Sequence, residues 1–458
     1  MRRTLPSRMN SRTPNEQETL QAKAFFVGFA VVSGLAVSLT LAINLIVDPF
    51  ARYDLVSLRG FNALRTQAGS HARLSKLATV CRDRPEAVAI GTSRVAIGID
   101  PTHPGWGAMA GHVYNLGMPG MGLQEVDLTL RHAVYAADRL KLALVGLDFL
   151  MFNATREALA PETEQITFDP ERFVLSEKSS CFGSFLHDLD SWLGPTGLIQ
   201  SIATIARQMP ESERSDPKTI TIWLSLYRRD GLMDNAKVFE DRARSGGYRA
   251  LFGDGGQERY YASVVWLPPP DRSYCFSRNG IDTFETFRGM IRFARKADID
   301  LRLFIDPTHA RMMLALQDAG LRPLYEEWRR RLVQILAEES RDSGRPAFPL
   351  WDFSGFNSVT TERIPPLGDL TTPVKWFWEP SHYKKQTGDL VLDRVLNHAG
   401  TAQDDFGIRL TPNNIDAYLE ADAENGVAYQ RREPEDAALI RGVVSEVTKN
   451  ARPLACLD

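Results

Sequence analysis

Cysteine is scarce in this chain, with Cys81, Cys181, Cys275 and Cys456 the only four in 458 residues. They lie too far apart for the close pairs in which zinc ligands usually come, so neither a metal nor another cofactor is expected. In an oxidising compartment Cys181 and Cys275 are candidates for a disulfide, because both fall in the same Ser- and aromatic-rich region. An excess of basic charge is also missing. The 54 Lys and Arg against 57 Asp and Glu leave a net charge of −3, which gives nucleic acid no general attraction, and no nucleic-acid motif occurs. The hydrophobic content, 43%, is that of an ordinary globular protein, enough for one large domain with insertions or for two.

Charge is absent altogether from Ala24 to Val47. At ~1.5 Å per residue this run exceeds the ~30 Å hydrocarbon core of a bilayer, and it outruns the ~7–15 apolar residues of a signal peptide. No small-residue cleavage site follows before Asp48-Pro49. Residues 24–47 therefore read as a transmembrane helix whose partner is the lipid bilayer. Arg2, Arg3, Arg8, Arg12 and Lys23 precede it and only Arg52, Arg59 and Arg65 follow closely, a bias that leaves residues 1–23 as a disordered cytoplasmic tail. In a bacterium the remainder then faces the periplasm from the inner membrane. Residues 48–85 read as a linker with an amphipathic helix over 64–80, broken at Asp83-Arg84-Pro85.

Beyond the linker, short apolar runs alternate with helical periodicity. Val88-Ala89-Ile90, Val113 to Leu116 and Leu142 to Leu147 read as strands, the last apolar throughout and so central. A helix over 123–139 separates the second and third. The alternation resumes with a helix over 283–296, a strand over 301–305, a helix over 323–339, a strand over 348–351 whose Pro349 marks an edge or a strand start, and a helix over 386–396. The pattern predicts an α/β fold, a three-layer doubly wound parallel sheet spanning residues 86–400. Residues 155–280 lack strong periodicity and read as a large insertion or lid, with helices near 198–208 and 234–244. Within it Trp266 and Pro268 to Pro270 are either a wall for a ligand or a packed loop. The acidic extension 401–458 is expected to pack loosely.

Ser93 follows the first strand in Gly91-Thr92-Ser93-Arg94, at the carboxyl end where open α/β sheets bind ligands. Gly91 is expected to allow a sharp turn that exposes the hydroxyl, making Ser93 the candidate nucleophile; the alternative is a helix N-cap. The glycines in Gly117 to Gly122 permit positive φ and a set of converging peptide N–H groups, or only a tight turn. Glu379-Pro380-Ser381-His382, after three aromatics that exclude water, sets a carboxylate three residues before an imidazole, with one ring nitrogen left to take the serine proton. Asp100 to His103 and Asp306 to His309 repeat the same acid-Pro-hydroxyl-His order. His382 is preferred for its apolar setting. His103 follows Ser93 too closely to fold back, and His309 is a candidate for lining the site.

These segments resemble the nucleophile, glycine and Asp-x-x-His blocks of the SGNH hydrolase superfamily, the GDSL-like esterases. More narrowly, the chain looks like their membrane-anchored periplasmic branch, typified by alginate O-acetylation and teichoic-acid D-alanyl transfer proteins. Thr92 stands where Asp is usual, Glu379 replaces Asp, and Gly146-Leu147-Asp148-Phe149 occupies the place of the Gly-x-Asn-Asp block. The resemblance implies Ser93 as nucleophile, His382 as base and acid, Glu379 as its orienting group, and the N–H groups of Ser93 and Gly120 as oxyanion donors. Arg94, Asn115, Asp148, Asn153 and His309 are candidates for substrate contact. It also implies O-acyl transfer to an exported or envelope polysaccharide, beside a multi-spanning membrane O-acyltransferase. The alternatives are an esterase or deacetylase, and a catalytically inactive glycan-binding or scaffold protein on the same fold.

Overall fold

In the computed structural model residues 14–63, 65, 67–68, 72–159, 194–208, 227–398 and 405–449 are described. Cys181, Cys456, residues 1–13 of the expected tail and much of the insertion lie outside them. Cys81 and Cys275 are both disulfide-bonded, and the pairing expected of Cys275 with Cys181 falls outside the described residues.

The fold is α/β around one mostly parallel sheet of six strands. Its members are β1 (Ala87–Ile90), β2 (Val113–Asn115), β3 (Leu142–Leu147), β6 (Asp300–Ile305), β7 (Leu350–Asp352) and β10 (Ile408–Leu410), with the spatial order β10-β7-β6-β3-β1-β2. Two hairpins stand apart from it, β4 (Ser277–Arg278) with β5 (Ile281–Asp282), and β8 (Phe377–Glu379) with β9 (His382–Tyr383). The chain leaves β1 toward β2 and then returns to β3 on the opposite side, so the strand order reverses at β1. In register, Ile90 pairs with Val145, Leu147 with Ile305, and Ile305 with Asp352, which aligns the strands' carboxyl ends along one rim.

All six residues of β3 are buried, as a central parallel strand with both faces covered requires. Successive side chains of β1 go to opposite faces. Val88 and Ile90 join Val126, Leu130, Phe287, Ile291, Trp328 and Leu332 on one side, while Ala87 and Ala89 join Val95, Phe304, Tyr383, Leu390 and Val391 on the other. The expected helices form over Leu123–Ala136 (α4), Thr283–Lys296, Arg322–Ser343 and Lys385–Val395. Pro349 proves to mark a strand start and not an edge, because β7 begins at Leu350 and is flanked on both sides. The linker helix, α2, spans Ala72–Asp83, shifted toward the carboxyl end from the expected 64–80.

The acidic extension differs from its expected loose packing. It contributes β10, antiparallel to β7, and two helices, Ile415–Arg432 and Pro434–Thr448. Ile415, Leu419, Tyr429, Ile440 and Val444 sit in the main core. Two of the acidic residues are buried as partners of arginines, Asp422 with Arg329 at 3.2 Å and Asp436 with Arg249 at 2.5 Å.

The first helix, α1, runs Pro14–Val47, and its stretch Gln21–Val47 is long and apolar enough to cross a membrane. It starts ten residues before the expected span, so part of the expected tail is helical. Its end is tied down. The Asp48 carboxylate accepts the N–H groups of Arg52, Tyr53 and Asp54 at 2.8, 3.0 and 2.9 Å. Asn62 Nδ2 donates to the carbonyls of Ile46 and Val56 at 2.6 and 2.8 Å, and Arg65 donates to the Val47 carbonyl. These contacts satisfy carbonyls that a helix end would otherwise leave open.

Candidate active site

Gly91 follows β1, and the chain turns there from strand to helix within two residues, the sharp turn expected of it. Its φ is not positive; instead, a Cβ there would meet Val95 Cγ2 at 2.4 Å and the Gly146 carbonyl oxygen at 3.1 Å. The glycine lets helix α3 (Ser93–Gly98) sit directly on the sheet. Thr92, not Ser93, caps that helix, its Oγ1 accepting the Arg94 N–H at 3.4 Å. The Ser93 hydroxyl is thereby left for another partner.

That partner is His382 Nε2, 2.7 Å away across 289 residues of sequence. On the other side of the ring, Nδ1 makes a very short contact with Glu379 Oε1. A carboxylate only accepts, so Nδ1 carries the ring proton and the Nε2 lone pair faces the serine hydroxyl. Glu379 is nearly buried, with its side chain 5% exposed, whereas the imidazole is 20% exposed. Burial pushes the Glu379 carboxyl up, but His382 and hydrogen bonds from Ser381 outweigh it and hold the group below its ordinary range. The Ser381 N–H and Oγ donate to Glu379 at 3.0 and 2.8 Å, so two donors besides the imidazole fix the carboxylate.

The backbone explains why only one of the three acid-Pro-hydroxyl-His segments makes this pair. His103 caps the 3-10 helix Pro104–Met109, and His309 caps the helix Ala310–Asp318, each ring accepting a backbone N–H on Nδ1. In the Asp100 segment the carboxylate accepts from its own Thr102 at 2.9 Å. In the third segment Pro380 and Ser381 form the turn between β8 and β9, no helix follows at once, and glutamate has one more methylene with which to reach Nδ1.

Arg94 fastens this hairpin to the sheet. Its Nε donates to the Ser381 carbonyl at 2.8 Å, and its Nη1 to Asp148 Oδ1 at 3.0 Å and Thr308 Oγ1 at 3.1 Å. Arg94 and Asp148 are each 4% exposed. Such a buried pair is costly to break, because the survivor keeps an uncompensated charge. Asp306 lies in the same group, accepting the Tyr383 hydroxyl at 2.9 Å. Burial, aided by the charge of Asp148, pushes its carboxyl up to about 8 against the pull of Arg94.

The remaining sequence candidates are buried and engaged within the protein. Asn115 Nδ2 donates to the carbonyls of Val95 and Ile99, both at 2.8 Å, and its Oδ1 accepts the Gly117 N–H at 2.8 Å. It ties β2 to α3. Asn153 joins the insertion to the body through the Trp266 carbonyl at 2.9 Å and the Cys275 N–H at 3.3 Å. His309 donates through Nε2 to the Glu362 carbonyl at 3.0 Å, and burial depresses its pKa to about 4. Trp266 is a packed residue, 3% exposed. These side chains hold the site together.

Among Gly117, Gly120 and Gly122 only Gly120 takes a positive φ, +68°. The loop around it is gripped by cations that the sequence did not single out. Lys76 of α2 donates to the carbonyls of Asn115, Gly117 and Gly231 at 2.9, 2.6 and 2.8 Å. Arg73 donates to Pro119 at 3.0 Å and Arg156 to Gly120 at 2.7 Å. In a trans peptide the carbonyl and the next N–H point in opposite directions, so drawing the Pro119 oxygen to Arg73 sends the Gly120 N–H the other way. The insertion packs on the flank: Met233 donates to the Ala96 carbonyl at 2.8 Å, and Phe239 stacks on Trp378 of β8 with ring centroids 5.2 Å apart.

Among the described residues His103, Asp393 and His398 form one group close enough to hold an ion. Their present bonding opposes it. Nδ1 of His103 accepts the Gly105 N–H at 3.1 Å, so the ring proton sits on Nε2 and that nitrogen has no lone pair for a metal. No protein-family model matches the chain, and no curated protein matches it.

Proposed function

We propose that the chain is a membrane-anchored serine acyl-ester enzyme on a three-layer SGNH-like fold, transferring O-acyl groups, acetyl above all, to an exported or envelope polysaccharide in the periplasm. The observation that carries this reading is the alignment of Ser93 Oγ, His382 and Glu379, with 2.7 Å between hydroxyl and base. His382 removes the hydroxyl proton as Ser93 attacks the acyl carbonyl, and the same proton then goes to the leaving oxygen. The N–H groups of Ser93 and Gly120 receive the developing oxyanion. A sugar hydroxyl in place of water completes a transfer; water completes a hydrolysis. The disulfide-bonded state of Cys81 and Cys275 supports an oxidising compartment.

The test uses the full chain in detergent with p-nitrophenyl acetate, with and without an oligosaccharide acceptor. Acetylated sugar is the expected product; free acetate alone would redirect the reading to an esterase. A fluorophosphonate should label the protein and fail on Ser93→Ala while still labelling Ser381→Ala. Absence of labelling and of turnover in the wild-type chain would leave a non-catalytic binding protein.

A further inference from the structure

The helix Pro195–Ala206 in the insertion is inside out. Its sequence, PTGLIQSIATIA, has no charged residue. On a water-exposed domain such a helix would turn Leu and Ile inward. Here Gly197, Ser201 and Thr204, spaced i, i+4, i+7 and so sharing one face, are the buried positions. Ile199 and Ile202 are instead 61% and 58% exposed.

What the small, polar face packs against is the last part of α1. Ser201 Oγ donates to Asn44 Oδ1 at 2.8 Å, and Asn44 lies within the apolar stretch Gln21–Val47. On α1 itself Asn44 and Val47 are buried, whereas Phe29, Val32 and Leu35 further up are all more than 60% exposed. Small residues at a helix–helix contact, a polar side chain bonded across it and apolar side chains turned outward are what two helices adopt in lipid, where Leu and Ile gain nothing by facing each other. In water the same arrangement would leave a row of isoleucines unburied.

We propose that Pro195–Ala206 is a second membrane-embedded element, lying in the leaflet where α1 ends with Ile199 and Ile202 against acyl chains. Twelve residues make a helix of about 18 Å, enough for one leaflet of a ~30 Å core but not for a crossing. The occupant of this face is lipid hydrocarbon, because the helix is bonded through its opposite face to α1, whose own Phe29, Val32 and Leu35 are exposed in the same way. Nothing in it depends on the chemistry of Ser93; it rests only on α1 being in the bilayer.

The test places an environment-sensitive fluorophore on Ile199→Cys and Ile202→Cys of the full chain, reconstituted in phosphatidylcholine vesicles with or without acyl-chain bromine. Val32→Cys reports α1, Leu367→Cys, 79% exposed on the body, reports water, and the unsubstituted chain reports background labelling. The expected result is a loss of fluorescence in brominated lipid at 199 and 202 comparable with that at 32, with little quenching by aqueous iodide. Iodide quenching at 199 and 202 like that at 367 overturns the inference. Protection from both quenchers overturns it as well, since a protein then covers the face. A failure at 32 removes the membrane reading of α1, and this inference with it, while leaving the esterase assay untouched.

Discussion

Arg94 Nε donates to the carbonyl oxygen of Ser381 at 2.8 Å, so the residue next to the candidate nucleophile holds the turn that presents the base. The same guanidinium reaches Asp148 beyond β3 and Thr308 beyond β6. One side chain thus couples the position of His382 to that of Ser93.

Arg94→Lys keeps the charge but cannot span all three acceptors. We expect kcat for an acetyl ester to fall about 10²-fold with KM little altered, the result of displacing the base by a fraction of its working distance. Arg94→Met also leaves Asp148 buried and unpaired, and should destabilise the fold by about 3–5 kcal/mol in urea unfolding. A lysine variant with wild-type kcat would show that the hairpin is positioned by other contacts.

Glu379→Gln should lower kcat by up to about 10⁴-fold, because an amide nitrogen facing Nδ1 favours the wrong imidazole tautomer. Ser381→Ala removes one donor from the carboxylate and should cost about tenfold, the scale of one charge-assisted hydrogen bond. Equal losses in the two variants would mean that the carboxylate acts only through the shape of the turn.

Asp306 and His309 give opposite pH dependences. The folded chain retains the Asp306 proton to about pH 8, against an ordinary value of 3.8. Its contribution to stability is therefore complete below about pH 4 and is lost as pH rises toward 8. His309 is kept neutral down to about pH 4 against an ordinary 6.5, so its contribution is present above 6.5 and lost as pH falls. Because the two oppose each other, the informative quantity is a difference. The urea midpoint of Asp306→Asn should gain on that of the wild type between pH 5 and pH 8, since the amide is neutral throughout. Parallel midpoints across that range would mean that Asp306 titrates as an ordinary carboxylate.

Lys76→Met leaves the Asn115, Gly117 and Gly231 carbonyls without their common donor, at about 1–3 kcal/mol for each one that stays dry. We expect a lower unfolding midpoint, and a fall in kcat in excess of the change in KM, because the Gly120 loop loses its grip. An unchanged kcat in the destabilised variant would separate the loop from the chemistry.

Most of the sheet was legible because burial on both faces writes itself as an unbroken apolar run: Leu142 to Leu147 reads as a strand residue for residue. The helix Thr283–Lys296 was equally plain from Phe284, Phe287 and Ile291 on one face, and the structure adds Asp282 as its cap. The extension after residue 404 was not, since the residues that bury it are spaced among acids whose partners, Arg329 and Arg249, are remote in sequence. The choice among three like-ordered histidines was only half legible. Pro104 at a first helical position marks His103 as a cap, but nothing local shows that Glu379 and His382 straddle a hairpin turn. Lys76, Arg73 and Asp306 escaped because their roles lie wholly in long-range contacts: Lys76 with distant backbone carbonyls, Arg73 with one such carbonyl and Glu125, Asp306 with Tyr383, Asp148 and Arg94.

The knot of hydrogen bonds at Asp48, Asn62 and Arg65 ties the end of α1 to the segment that follows it, and Ser75 of α2 donates to the Phe50 carbonyl, bracing that segment against the body. If α1 sits in a bilayer, as proposed, this bracing would hold the Ser93 hydroxyl near one altitude above the point where the helix surfaces. On the proposed acyl-transfer reading, a substrate would then have to be delivered to that spot.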